Sequence, residues 1–131
     1  MGGGTNHRIS LSEAALIKDN HIAAAGGVEP SFTKVRKLYP NTPIEVEVDT
    51  LQQLQEVLPL NPDVILLDNM SPKECATAVE IVAGRSKLEA SGGITLESAA
   101  AYAATGVDFL AIGALTHSAP VLDIGLDLRA E

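Results

Sequence analysis

Aromatic residues, cations, cysteines and long apolar runs are all scarce in this chain, and each scarcity closes off a class of protein. Two Tyr, two Phe and no Trp among 131 residues leave the core to Ala, Val, Ile and Leu. An aliphatic, alanine-rich core is typical of parallel α/β proteins, where helices pack closely on β-branched strands. Nine Lys and Arg against 17 Asp and Glu give a net charge of −8. That balance argues against nucleic acid, whose phosphates need a basic surface, and against an anionic membrane. No apolar stretch reaches the ~18 residues that span a bilayer. The start, MGGGTNHR, lacks the pattern of a secretory leader. A single cysteine, Cys75, cannot build a disulfide framework. A cytoplasmic protein of one domain is the expectation. Met1 followed by Gly2-Gly3-Gly4 reads as a boundary set inside a longer protein, with a naturally flexible start as the alternative.

Five short apolar runs are present: Ala14 to Ile17, Ile44 to Val48, Val64 to Leu67, Leu88 to Ala90 and Phe109 to Ile112. Each ends in a polar residue or glycine. Near-continuous apolar runs of this length are what parallel strands covered on both faces look like. The second run differs, because Glu45, Glu47 and Asp49 alternate with Val46 and Val48. One of its faces must meet something polar.

Helical patterns separate the runs. Pro30 to Tyr39 carries Phe32, Val35 and Leu38 at helical spacing and stops at Pro40. Thr50 with Gln53 forms a capping box ahead of Leu51, Leu54 and Leu58. Ser71-Pro72-Lys73-Glu74 is a stronger start, with a stripe of Cys75, Ala78, Val79 and Val82 and a stop at Gly84. Cys75 therefore reads as core packing. Thr95 opens a helix with Leu96, Ala99, Ala100 and Ala103, closed by Gly106. Strand and helix alternate, which implies right-handed crossovers and a parallel sheet. A closed barrel needs eight such units and ~250 residues. Five units make this an α/β chain, a parallel (βα)5 unit, either a partial TIM-like barrel or an open flavodoxin-like sheet.

In such folds the site lies beyond the carboxyl ends of the strands. Polar residues gather there: Lys18-Asp19-Asn20-His21, Glu47 with Asp49, Asp68-Asn69, Ser91-Gly92-Gly93, and Gly113 with Thr116-His117-Ser118. A lysine, several carboxylates and two histidines exceed what ordinary turns require. Ser91-Gly92-Gly93-Ile94-Thr95 is a glycine turn entering a helix, where backbone N–H groups and the helix dipole favour an anion. Gly113 follows the next strand, and two successive glycine-bearing strand ends suit a phosphate. Glu47 and Asp68, on neighbouring strands, suit Mg²⁺, which takes hard oxygen ligands. The alternative pairs each carboxylate with Lys18 or Arg8. Lys18 itself can serve as a phosphate ligand, as a Schiff-base nucleophile or as the partner of Glu47. The Schiff base is disfavoured, since nearby carboxylates hold the amine charged. Asn6-His7-Arg8 places a cation beside a titratable ring, next to three glycines.

Six segments, taken in order, resemble one family. They are Gly-Gly-Gly-Thr-Asn-His-Arg (2–8), Leu-Ile-Lys-Asp-Asn-His (16–21), Glu-Val-Glu-Val-Asp (45–49), Leu-Leu-Asp-Asn (66–69), Ser-Gly-Gly-Ile (91–94) and Gly-Ala-Leu-Thr-His-Ser (113–118). The likeness is to the carboxylating nicotinate-nucleotide pyrophosphorylases, or quinolinate phosphoribosyltransferases. It runs through Leu122-Asp123-Ile124-Gly125-Leu126-Asp127.

The resemblance implies transfer of a phosphoribosyl group to quinolinate. Quinolinate and phosphoribosyl pyrophosphate become nicotinate mononucleotide, CO₂ and pyrophosphate, with Mg²⁺. It implies an incomplete α/β barrel following an N-terminal domain that this chain lacks, and a dimer or larger homo-oligomer. It places His7, Arg8 and Lys18 around the quinolinate carboxylates and the pyrophosphate. Glu47 and Asp68 match the acidic residues near the ribose and metal. Ser91, Gly92, Gly93 and Gly113 match the loops for the 5′-phosphate. Several family arginines that bind quinolinate, one from a partner subunit, fall in the missing part. The chain alone is therefore expected to show little or no turnover. The competing readings are a non-catalytic module derived from half a barrel, and another phosphate-binding barrel enzyme such as an isomerase or aldolase.

Overall fold

Each apolar run becomes a strand, and each strand runs parallel to the next. The structure, a computed structural model, describes residues 4, 6, 7, 10, 12–116, 119, 122, 124 and 125. The strands are β1 (Ala15–Ile17), β2 (Ile44–Val48), β3 (Val64–Asp68), β4 (Lys87–Ser91) and β5 (Phe109–Leu110). They pair in the order β1-β2-β3-β4-β5, all parallel. Between them lie α1 (Asp19–Ala25), α2 (Val28–Leu38), α3 (Leu51–Val57), α4 (Pro72–Val82) and α5 (Leu96–Ala103). A flavodoxin-like sheet reverses its strand order at a switch point, and this one does not. With sequential order and right-handed crossovers, successive helices land on the same face. The contacts agree, since α2 packs on α3, α3 on α4 and α4 on α5. The arrangement is a sector of barrel wall with helices outside and a second, inner face.

Alternation along the strands sorts residues between those faces. Ile44, Val46, Val48, Ile65, Leu67 and Ala90 are almost wholly buried and join Leu54, Cys75, Ala78 and Val82 of the helices in one core. The intervening residues, Glu45, Glu47, Leu66 and Glu89, point to the inner face. The polar side expected for β2 is this one.

All three capping segments form as the sequence requires. Thr50 Oγ1 accepts the Gln53 N–H at 3.2 Å, Ser71 Oγ accepts that of Glu74 at 3.4 Å, and Thr95 Oγ1 that of Ser98 at 3.3 Å. The segment after β1, read only as rim residues, instead forms the seven-residue helix α1. Its alanines favour helix, and Gly26 ends it in the left-handed region at φ 79°. Two stripes fall differently from expectation. Leu38 is 63% exposed, because α2 ends there. Leu96 is 87% exposed, and Ala100 and Ala103 also face out. Helix α5 is turned so that Ala99 and Tyr102 meet the core, with the Tyr102 hydroxyl donating to the Met70 carbonyl at 3.1 Å.

The floor of the sheet is held by one device used twice. Asp63, just before β3, accepts the Ile44 N–H at 2.8 Å and an Arg36 N–H at 3.0 Å. Asp108, just before β5, accepts the Leu88 N–H at 2.9 Å and pairs with Lys87 Nζ at 2.6 Å. Partial burial opposes ionisation of both carboxyls. The backbone donor and the cation outweigh it and hold both below the ordinary aspartate value. A depressed carboxyl stabilises the fold above its unfolded pKa and ceases to as pH falls through its folded value. Asp63→Asn and Asp108→Asn should therefore each cost about 0.5–1 kcal/mol at pH 7, a modest figure because both sites are partly solvated. Urea unfolding should show that cost shrinking once the pH drops below the ordinary aspartate value of 3.8. A constant cost across the acid range would sink the assignment.

Candidate active site

Lys18 is the first residue beyond β1, and its backbone N–H donates to His21 Nδ1 at 3.0 Å across the first turn of α1. That contact gives His21 a local role as a cap. The Lys18 ammonium reaches sideways and donates to Glu47 Oε2, near the carboxyl end of β2. The Glu47 hydrogen bond, opposed by burial and aided by the charges of Glu47, Asp68 and Asp19, raises Lys18 above the ordinary lysine value. A lysine held this way is an ammonium at neutral pH, the opposite of what a Schiff-base nucleophile needs.

Carboxylates crowd around that cation. Burial pushes Glu47 up despite Lys18, and the charges of Asp68 and Asp19 push it further. Burial also raises Asp49, again with repulsion from Asp68 and Asp19. Asp68 ends β3, and its Oδ2 accepts from Asn69 Nδ2 at 2.7 Å. Lys18, Asp19, Glu47, Asp49 and Asp68 thus share one electrostatic neighbourhood at the rim. Among the described residues one ammonium faces four carboxyl groups there, which leaves the cluster open to a further cation.

The glycine turn sits beside this cluster. Ser91 is the register partner of Asp68. The Asn69 N–H donates to the Ser91 carbonyl at 3.1 Å, which draws the two rim loops together. Gly92 and Gly93 both lie in the left-handed region, at φ 91° and 59°. A Cβ on Gly92 would sit 2.2 Å from Asn69 Oδ1 and 2.7 Å from the Asn69 backbone nitrogen, so glycine is required for contact as well as for conformation. Thr95 then caps α5, whose amino end faces the same rim. Gly113 opens a short 3-10 turn, Gly113–Leu115, just beyond β5.

Lys18, Glu47, Asp68, Ser91, Gly92, Gly93 and Gly113 therefore all lie at the carboxyl ends of strands in one sheet. Arg8, His117 and Ser118 lie outside the described residues. His7 is described, but it joins a different group: its Nε2 lies 2.9 Å from Glu45 Oε2 and 3.6 Å from Glu89 Oε2 on the inner face. Glu45 entered the sequence reading through its alternation and within the 45–49 segment but, like Glu89, not as a site residue. The available signal was a glutamate in the middle of an otherwise buried strand. A cleft of about 320 Å³ lies between β1, α1 and α2, but its lining is mainly aliphatic and shares only His21 with the rim.

Fold and rim together define a class: a parallel α/β barrel sector with a lysine–carboxylate cluster beside a glycine turn. Comparison with known proteins narrows it. Residues 1–127 match the family model described as quinolinate phosphoribosyl transferase, C-terminal domain, and the chain belongs to that family. It is 54% identical over 131 residues to the nicotinate-nucleotide pyrophosphorylase [carboxylating] of Mycobacterium leprae, covering 98% of this chain and 46% of that protein. It is 38% identical over 150 residues to quinolinate phosphoribosyltransferase [decarboxylating] 2b, mitochondrial, of Nicotiana tabacum, covering 43% of that protein. Among solved structures, the nicotinate-nucleotide pyrophosphorylase from Francisella tularensis superposes with a TM-score of 0.84 at 47% identity, over 88% of this chain and 41% of that one. The chain spans a little under half the length of the relatives it matches.

Gly92→Ala should be costly without touching the core. The added methyl meets backbone as well as the Asn69 side chain, and a non-glycine residue there is strained. A loss of about 2 kcal/mol or more in denaturant unfolding is expected. Gly4→Ala, where nothing lies within 4 Å, should be close to neutral.

Proposed function

We propose that this chain supplies the rim of the active site for phosphoribosyl transfer to quinolinate, yielding nicotinate mononucleotide, CO₂ and pyrophosphate on the route to NAD. The observation that carries the reading is the Lys18–Glu47 pair set among Asp68 and Asp49, beside the Ser91-Gly92-Gly93 turn. Both substrates are strongly anionic, and Lys18 is a fixed cation on a chain of net charge −8. Lys18 holds an anionic group of substrate, and Glu47 keeps its ammonium in place. The glycine turn, opening into the Thr95-capped helix, offers backbone N–H groups to the 5′-phosphate. Loss of pyrophosphate develops positive charge on the ribose, which the Asp68 and Glu47 carboxylates stabilise. Decarboxylation follows once the pyridine nitrogen is quaternised and the ring can accept the electron pair.

Mg²⁺ fits this site on the chemistry of its donors. Glu47, Asp49 and Asp68 are hard oxygen ligands, and burial, with repulsion from Asp68 and Asp19, already holds Glu47 and Asp49 above their ordinary values. Glu47 and Asp68 are the residues that would hold it. When bound it offsets the charge of the departing pyrophosphate. The remaining substrate contacts fall to Arg8 and His7, to the part of the relatives this chain does not span, and to a second subunit in a homo-oligomer.

Isothermal titration with phosphoribosyl pyrophosphate tests the reading. Saturable binding that strengthens with Mg²⁺ is expected, falling at least tenfold in Lys18→Met and in Asp68→Asn. Binding of equal strength in both variants would refute the assignment. In an assay with both substrates and Mg²⁺, the chain by itself should show little or no turnover, since most quinolinate contacts lie elsewhere. Turnover would show instead that the rim suffices.

A further inference from the structure

Among the described residues, three that are not glycine adopt a left-handed backbone: Asn61 at φ 52°, Asn69 at 53° and Ala83 at 49°. Asn61 and Ala83 each end a helix, where that conformation is ordinary. Asn69 instead follows strand β3, between Asp68 and the buried Met70. The turn there sends Met70 into the core, where its carbonyl accepts from the Tyr102 hydroxyl. Glycine would make that turn at least as easily, so the turn does not account for the asparagine side chain.

That side chain is wedged between two parts of the rim. Its Nδ2 donates to Asp68 Oδ2 at 2.7 Å. Its Oδ1 and Cγ fill the space where a Cβ on Gly92 would stand, so the bare glycine makes room for the amide. Its backbone N–H, on the Ser91 carbonyl at 3.1 Å, keeps the residue against the glycine turn. Solvent competes for a bond between exposed groups, so the amide–carboxylate contact adds little to fold stability. What it fixes is direction. A carboxylate turns about its last torsion with little preference, and a donor held on one oxygen selects one orientation.

We propose that Asn69 is a positioning residue of the phosphoribosyl-transfer site, holding the Asp68 carboxylate in the orientation that receives the cation and the ribose. The glycine turn holds Asn69, and Asn69 holds Asp68. The inference rests on the phosphoribosyl-transfer reading and adds to it a residue that acts only through its neighbour.

Titration calorimetry with phosphoribosyl pyrophosphate and Mg²⁺ tests the role in the unmodified chain, in Asn69→Gly, in Asp68→Ala and in the double variant. Glycine accepts a φ of 53° and keeps the N–H to Ser91, so Asn69→Gly should unfold in urea close to the unmodified chain. Its binding should nonetheless fall roughly tenfold. In the Asp68→Ala background the same change should cost almost nothing further, because no carboxylate remains to orient. Equal losses in both backgrounds would mark an asparagine that acts on the rim by some other route and would overturn the role. Unchanged binding in Asn69→Gly alongside a loss in Lys18→Met overturns the role of Asn69 and leaves the phosphoribosyl-transfer reading standing. Absence of saturable binding by the unmodified chain overturns both. If Asn69→Gly does not fold, the unmodified chain still answers by NMR. The Asn69 side-chain amide signal should shift and saturate with the ligand, and a signal that stays in place overturns the role.

Discussion

Burying charge on the inner face of the sheet is the constraint from which most of this structure follows. Strand β2 alternates valine and glutamate, so one face enters the helix-covered core and the other carries two carboxylates with little water around them. Such groups are tolerable only when paired. Glu47 takes the Lys18 ammonium from the end of β1, and Glu45 takes His7 from the segment before it. These two contacts tie the start of the chain to the sheet. The first also holds Lys18 at the rim.

The two ends of the strands are built for different purposes. At the floor, Asp63 and Asp108 each bracket a neighbouring strand through its backbone N–H and a basic side chain, a structural arrangement with no surplus charge. At the rim, carboxylates outnumber cations among the described residues, and Glu47 and Asp49 are held above their ordinary values. Surplus charge destabilises a fold, so its concentration at one rim makes that rim the candidate site. The glycine turn completes that rim by close contact with Asn69, which no larger residue would permit. The chain belongs to the quinolinate phosphoribosyl transferase family and spans under half the length of the relatives it matches.

Much of this was legible beforehand because it rests on local rules. Thr50, Ser71 and Thr95 announce helices by side chains that reach only three residues ahead, and the apolar runs announce strands by a period of two. The failures are also physical. Helix α1 was missed because its first turn, Asp19-Asn20-His21, looks like a polar loop, and the alanines and Gly26 that make it a helix carry no stripe. The outward face of Leu96 was missed because propensity does not say how a short helix is rotated against its strand. Glu89 was missed because a single glutamate in a three-residue run has no visible partner along the chain.

Sequence by itself settled the class of fold, the strand and cap positions, the side of β2 that had to be polar, and the family. Periodicity, capping and motif order are written in neighbouring residues and need no knowledge of what lies across the sheet. Strand order, the choice of a barrel sector over a reversed sheet, and the partners of the buried carboxylates were decided only in three dimensions. His7 meets Glu45 across 38 positions, and no local rule couples residues so far apart. That pairing exists because the segment ahead of β1 reaches the inner face of the sheet, where unpaired charge must find its counterpart.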